Sequence, residues 1–481
     1  MLQARPSGPA ALAVALLLAA PWTPLEAQDQ PPVYPDFTEE LRVVREVLTS
    51  EQMERAMEYV EGSRDETVQE FLRVCNANGP SEDEIYRSNL LRQILLMYGL
   101  EKVHIDDETN VIGIRPGVGD GPTVVLNAHH DNIHRWGKDQ PVEAFVADGR
   151  VWCPAASDDL VGTVQVLTVL RALNAAGIRT EGDIWFVFFT NEEPLHNHAS
   201  PGAGFFVRSN YPQNIDWRDG DILVQLHGSG GSGVSTGGTD MRHRPQLRVF
   251  APIDRSEWGP WHAVDVLGKI LARITDEVRD PRLVDRGAAQ VRPEGLLYVN
   301  PSQIQGSNTL NGVAYEAWVR FDMHTSTEDR LWEAHEQIMG IAEEECARFG
   351  PTCKWHYTIN NYNGQEEPIE GWDRTDNQPA RTAAAAAEAL YGSDGYIVPT
   401  RGCGDCVRAI RNGMPAMSIR GDVVDRLGGD VTRGDELPLE SDVRRRTANH
   451  TVTGSQAIDG IWAAVKHALL FSVSYTGLAG S

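Results

Sequence analysis

The chain reads as an α/β fold interrupted by a smaller α+β domain, and three observations carry that reading. Apolar runs at 123–126, 184–189 (IWFVFF) and 222–226 are continuous rather than alternating, as in strands covered on both faces. Between them the apolar residues recur at helical spacing, as at Leu160, Val164, Leu167 and Leu170. Alternating strands and helices indicate an α/β core. The pattern then changes near Pro245 and returns at about Thr382.

In chain order, residues 1–27 look like a secretory leader. Arg5 supplies a positive start, 10–20 (AALAVALLLAA) a short apolar run, and Leu25-Glu26-Ala27 a small-residue cleavage site. The run is short for a membrane span, so export to a secreted or periplasmic location is expected, with a retained anchor as the alternative. Helical periodicity follows over 39–75 and 82–98, the second ended by Gly99, and then strands at 111–115 and 123–126. A helix over 159–175 leads to the strands at 184–189 and 222–226. The Gly/Ser-rich 228–238 lacks a Walker lysine and reads as a loop beside a site. From 246 the order is strand (246–251), helix (261–274), strands (296–305 and 312–323), helix (328–348) and strand (354–359), which suits an inserted α+β sandwich. A helix at 382–391, a strand at 416–419 and a helix at 457–471 complete the larger domain. The expected division is 1–27 leader, 28–244 and 361–481 larger domain, 245–360 insertion.

With 481 residues the chain is long enough for two or three domains. A formal charge of −25 argues against a nucleic-acid partner, whose binding rests on basic patches. No basic amphipathic helix marks a membrane surface beyond the leader. Export permits disulfides. Cys346 and Cys353 flank a Gly-Pro turn and suit a local bridge, while Cys403-Gly-Asp-Cys406 reads as a structural disulfide or buried thiols.

The chemistry lies in an ordered set of residues: His129 and Asp131, Asp158-Asp159, Glu192-Glu193, His227 and His450. A His-x-Asp at a strand end can put imidazole on a metal while the carboxylate orients the ring from behind. A two-metal site needs a bridging carboxylate, terminal ligands on each ion and a base for the attacking water. Asp158 suits the bridge; His129, Glu193, His227 and His450 suit terminal ligands; Glu192 suits the base. A single Asp-Asp or Glu-Glu pair is ordinarily a solvated face, and a single His ordinarily structural. What distinguishes these is their position after strands or Gly/Ser turns, in one order.

The segment from Asn127 to Gly162 resembles the M20 family of metallopeptidases and amidohydrolases. AHHD at 128–131, Trp136, Pro141, DGRVW at 148–152 and AASDDLVG at 155–162 follow the family's order. TNEEP at 190–194 resembles its Glu-Glu motif, RGCGDCVRAIRNGMPAMSIRG at 401–421 its penultimate block, and His450 its last ligand. The resemblance covers most of the mature chain. It implies a mixed-sheet di-zinc peptidase catalytic domain whose inserted lid can mediate a homodimer. It implies two divalent ions, zinc first, with manganese or cobalt as alternatives. Asp158 would bridge them, His129 sharing one ion with His227, and Glu193 the other with His450. Asp131 would orient His129, and Glu192 would be the general base.

Two departures matter. His227 stands where many members have Asp or Glu, making the ligand set one unit less negative. The lid histidine that helps polarise the scissile carbonyl has no clear counterpart; His262 begins a helix nearby. Substrates are expected to be short peptides or N-acyl amino acids, with Arg320 and Arg444 as candidates for holding a carboxylate. The competing readings are an M28-like aminopeptidase, a binding protein on a dead hydrolase scaffold, and a two-zinc acyl transferase.

Overall fold

A computed structural model describes residues 33–132, 143–193, 201–209, 217, 219–227, 234–236, 241–251, 262–278, 297–306, 313–325, 328–349, 353–363, 369, 372–392, 397–398, 404–419 and 455–480. The leader expected over 1–27 lies outside these residues. The 39–75 periodicity resolves into α1 (Thr38–Leu48), α2 (Glu51–Gly62) and α3 (Arg64–Asn76). Ser50 explains one break: it caps α2 by accepting from the Met53 amide at 3.2 Å. Helix α4 (Ile85–Met97) is followed by β1 (Glu101–Ile105), β2 (Val111–Arg115) and β3 (Val124–His129). Next come β4 (Phe145–Ala147), β5 (Arg150–Trp152), α5 (Val161–Ala176), β6 (Ile184–Phe189), α6 (Pro201–Ser209), β7 (Ile222–Leu226) and β8 (Val234–Ser235).

The main sheet has eight strands among the described residues. It has β1 and β2 at one edge, then β6, β3 and β7 side by side and parallel, and beyond them β8 with two strands from the later part of the chain, at 397–398 and 416–419. Strand β6 shows why its sequence is apolar throughout. Phe186 and Phe188 face the core shared with α5 and the last helix, while Trp185, Val187 and Phe189 face the core shared with α6. A strand covered on both faces has no solvent side to keep polar, and each large side chain so buried contributes roughly 2–3 kcal/mol.

The second sheet belongs to the insertion. Its elements are β9 (Met241–Phe250), α7 (Ala263–Glu277), β10 (Tyr298–Gln305), β11 (Glu316–Thr325), α8 (Glu328–Phe349) and β12 (Lys354–Asn363), in the order read from the sequence. The strands pair antiparallel in the spatial order β10-β11-β9-β12. One face is apolar: Ala317, Val319, Phe321 and Met323 of β11 pack with Ile270 of α7 and Ile338 of α8. Strand alternation sets Trp318, Arg320 and Asp322 on the other face. Strand β9 begins at Met241, five residues before the strand expected from position 246.

The chain then returns through α9 (Gln378–Tyr391), β13 (Ile397–Val398), α10 (Gly404–Arg411), β14 (Ala416–Ile419), β15 (Ser455–Ala457) and α11 (Ile461–Thr476). Asn377 caps α9, and Gly392 ends it in the left-handed region at φ 60°. Strand β15 pairs with β5, and β5 with β4, in a small three-stranded sheet that the sequence reading did not anticipate. Disulfides join Cys75 to Cys153 and Cys346 to Cys353, and Cys406 is also disulfide-bonded. No helix among the described residues is long and apolar enough to cross a membrane.

Candidate functional site

The carboxyl ends of β6, β3 and β7 lie side by side, where sheets of this type hold their ligands. His129 is the last residue of β3, His227 follows β7 directly, and Glu192-Glu193 follow β6 after a two-residue link. Asp158 arrives from the turn Ala156–Leu160 that feeds α5. Gly162 lets that turn close in: a Cβ there would lie 2.2 Å from the Leu226 carbonyl oxygen and 2.4 Å from Asp159 Oδ2. Asp159 accepts from the Gly162 amide at 3.2 Å and so supports the turn.

Asp158 Oδ1 stands 3.1 Å from His129 Nε2 and 3.1 Å from His227 Nε2. These three donors lie within 4.8 Å of one another and could hold a metal ion. The ligands of a tetrahedral zinc stand roughly 3.3 Å apart, so the spacing suits one ion among the three. The other ring nitrogen of His129 meets Asp131 Oδ1 at 3.1 Å, the carboxylate–histidine arrangement expected behind a ligand. The charge pattern also favours a cation. Burial opposes protonation of His129, but Asp131 and Asp158 overcome it and raise its pKa well above the usual imidazole range. Burial likewise opposes His227, yet Asp158 and Asp159 push it up to about 9.

Glu192 and Glu193 are tied to this group through their backbone. Their amides donate to Asp131 Oδ1 at 3.2 Å and Asp131 Oδ2 at 3.0 Å. The Glu193 side chain is buried, and the Glu192 carboxylate lies hard against Gly404, where a Cβ would come within 1.7 Å of Oε1. Arg320 sits in the lid sheet with its guanidinium 5.6 Å from the Trp318 ring centre. His262 caps α7, its amide donating to Asp265 at 2.8 Å. His450 and Arg444 lie outside the described residues.

Several supporting residues escaped the sequence reading. Ser81 donates to Asp131 Oδ2 at 2.6 Å, and Thr163 donates to the His129 carbonyl at 3.1 Å. Glu84 is buried beside them; burial, reinforced by Asp131, pushes its carboxyl up to about 8. Arg87, wholly buried, donates to the Ala77, Gly79 and His130 carbonyls and to Asn132. Asp405 accepts from Gln225 Nε2 at 3.1 Å. Burial, offset by His129 and reinforced by Glu192 and Asp131, pushes Asp405 up to about 8. A signal for Asp405 existed within Cys403-Gly-Asp-Cys406, but the cysteine spacing drew the reading. Ser81, Glu84 and Arg87 sit at the start of a helix whose pattern speaks only of its packing.

Comparison with known proteins agrees with this architecture. The human carnosine dipeptidase 1 structure aligns with a TM-score of 0.65 at 11% identity, covering 88% of this chain and 99% of that one. A di-peptidase from Saccharomyces cerevisiae aligns at 0.62 and 10% identity, covering 88% and 98%. At such identities the likeness is one of fold. In sequence, a cysteinylglycine-S-conjugate dipeptidase from Corynebacterium striatum is 29% identical over 189 residues. That match spans 37% of this chain and 39% of the relative's length. The model of peptidase family M20/M25/M40 matches residues 125–435, well over half of the chain, and the protein belongs to that family.

Proposed function

We propose that this protein is an exported, metal-dependent hydrolase that cleaves the amide or peptide bond of a dipeptide, another short peptide or an N-acyl amino acid. The observation that carries the reading is Asp158 Oδ1, set 3.1 Å from both His129 and His227 at adjacent strand ends. His129, Asp158 and His227 would hold one divalent ion; Asp158, Glu193 and His450 would hold a second. When bound, the two ions, zinc in the first instance, supply Lewis acidity at the scissile carbonyl and lower the pKa of water. Asp131 fixes the His129 ring. Glu192 takes the proton of the attacking water as the new C–O bond forms, and delivers it to the amine as the C–N bond breaks.

Glu192→Gln keeps the shape of the side chain but removes its basicity. Turnover is expected to fall by roughly two orders of magnitude or more while metal content stays at wild type. An active Glu192→Gln alongside a metal-loaded, inactive Glu193→Gln would exchange the two roles. The same preparation tests the substrate class by comparing a dipeptide with its C-terminal amide. Loss of the carboxylate should lower kcat/KM by at least about tenfold, or ~1.4 kcal/mol, if Arg320 or Arg444 holds it. Equal rates would favour an aminopeptidase-like activity instead.

The Cys75–Cys153 and Cys346–Cys353 disulfides support export to an oxidising compartment. We further propose a homodimer formed through the lid; a monomeric mass by light scattering at working concentration would remove the dimer without touching the chemistry.

A further inference from the structure

Thr190, Asn191, Glu192 and Glu193 follow β6 in succession, and their four amides all end on side chains. Thr190 donates to Asn110 Oδ1 at 3.1 Å and Asn191 to Glu84 Oε1 at 3.0 Å. Glu192 and Glu193 donate to the two oxygens of Asp131. Asn191 adopts the left-handed region at φ 57°, a backbone conformation that can turn neighbouring N–H groups toward one side. Asparagine is among the few residues that enter that region readily.

The acceptors are themselves fixed. Asp131 is held by Ser81 and by the His129 ring. Asn110 donates to Asp106 at 2.8 Å and to the Gly202 carbonyl at 2.9 Å. Glu84 is 3% exposed and also accepts from the Glu82 amide at 3.0 Å, so its carboxylate joins the entry of α4 to the turn carrying Glu192. Buried carboxylates of this kind act where a backbone must be held without a sheet partner to hold it.

We propose that Glu84 is a positioning residue for catalysis: its carboxylate oxygen clamps the Asn191 amide and thereby aims the Glu192 side chain. This deepens the reading of Glu192 as the base and rests on it. A displacement of about 1 Å at a reacting group can lower turnover a hundredfold, whereas substrate binding elsewhere in the site is left in place. The clamp needs an acceptor oxygen at the Glu84 position, not a negative charge.

The test compares Glu84→Met, which removes the acceptor, with Glu84→Gln, which keeps it, and Glu84→Asp, which withdraws it by one methylene. Each is assayed on a dipeptide with bound metal measured in the same sample, and Glu192→Gln is run in parallel. Glu84→Met is expected to lower kcat roughly tenfold to a hundredfold with KM within about threefold and metal retained. Glu84→Gln should recover most of the loss, and Glu84→Asp should fall between the two. Hydrogen exchange of the peptide spanning 190–193 should quicken in Glu84→Met and Glu84→Asp and stay slow in Glu84→Gln. Should Glu84→Met not fold, the Glu84→Asp and Glu84→Gln pair decides alone. Wild-type kcat in Glu84→Met or Glu84→Asp overturns the clamp, as does a Glu84→Gln as impaired as Glu84→Asp. A Glu192→Gln that stays active removes the base assignment itself, a separate failure that the parallel assay identifies.

Discussion

Two pairs of histidines, one at the strand ends of the larger domain and one in the insertion, are treated in opposite ways. At the strand ends of the larger domain, His129 has a carboxylate on each ring nitrogen and His227 faces Asp158. In the lid, His243 on β9 and His335 on α8 meet each other at 2.6 Å, and His335 in turn bonds the Tyr357 hydroxyl on β12. Trp332 packs edge-on to His243, with ring centres 5.5 Å apart. The carboxylates raise the first pair, while burial lowers the second, His243 to about 3 with His335 adding to the effect, and His335 to about 4. Burial alone therefore says little about what a histidine is for. The neighbours decide whether the pocket wants a cation or a neutral ring.

The most damaging way to break this contrast is Asp158→Ala. It removes the group shared by His129 and His227, so activity should vanish together with most of the bound metal, measured by elemental analysis after dialysis. Full activity in metal-free protein would end the metal reading altogether. The contrast sharpens in the metal-free state. With His227 pushed up to about 9 by Asp158 and Asp159 against burial, its ring is a protonated imidazolium at pH 7.5. Loading with zinc should then release about one proton from His227, read by titration calorimetry in buffers of different ionisation enthalpy. Without metal, His227 contributes stability below about pH 6.5 that is lost as the pH rises through about 9.

A smaller effect is expected at Ser81→Ala. Its hydroxyl supports Asp131, which in turn orients His129, so metal affinity should weaken roughly tenfold while the fold persists. Unchanged affinity would mean that the amides of Glu192 and Glu193 suffice to hold Asp131.

The sequence made the strands and their site-bearing ends legible because a two-sided strand must be apolar throughout, and because His129, Asp158, Glu193 and His227 each follow such a run or a small-residue turn. The lid's element order was legible for a different reason: β11, covered on one face, alternates with period two, and α8 repeats with period 3.6. The support of the site was not. Ser81, Glu84 and Asn110 act on residues distant in sequence, and a polar residue at a helix start looks the same whether it meets water or a buried amide. The break of one long helical stretch into α1, α2 and α3 was missed because Ser50 and Ser63 are modest signals within good helical periodicity.

The last expected effect, on stability rather than on the metal site, tests the lid side of the comparison. His243 and His335 are buried and held neutral, whereas in an unfolded chain both would titrate near 6.5. Above that pH both states are neutral, and the pair adds no slope. As pH falls below about 6.5, the unfolded chain binds protons that the folded lid refuses, so stability decreases; the loss continues until the pH reaches about 4 to 3, where the folded rings titrate. Acid loosens the metal site too, so wild type must be compared with a His243→Gln, His335→Gln double variant, in which that contribution cancels. Urea unfolding at pH 6.5 and 5 should show wild type losing about 3 kcal/mol more than the variant over this interval. Equal losses would mean that the lid pair already shares a proton at neutral pH, and that the two regions treat their histidines alike.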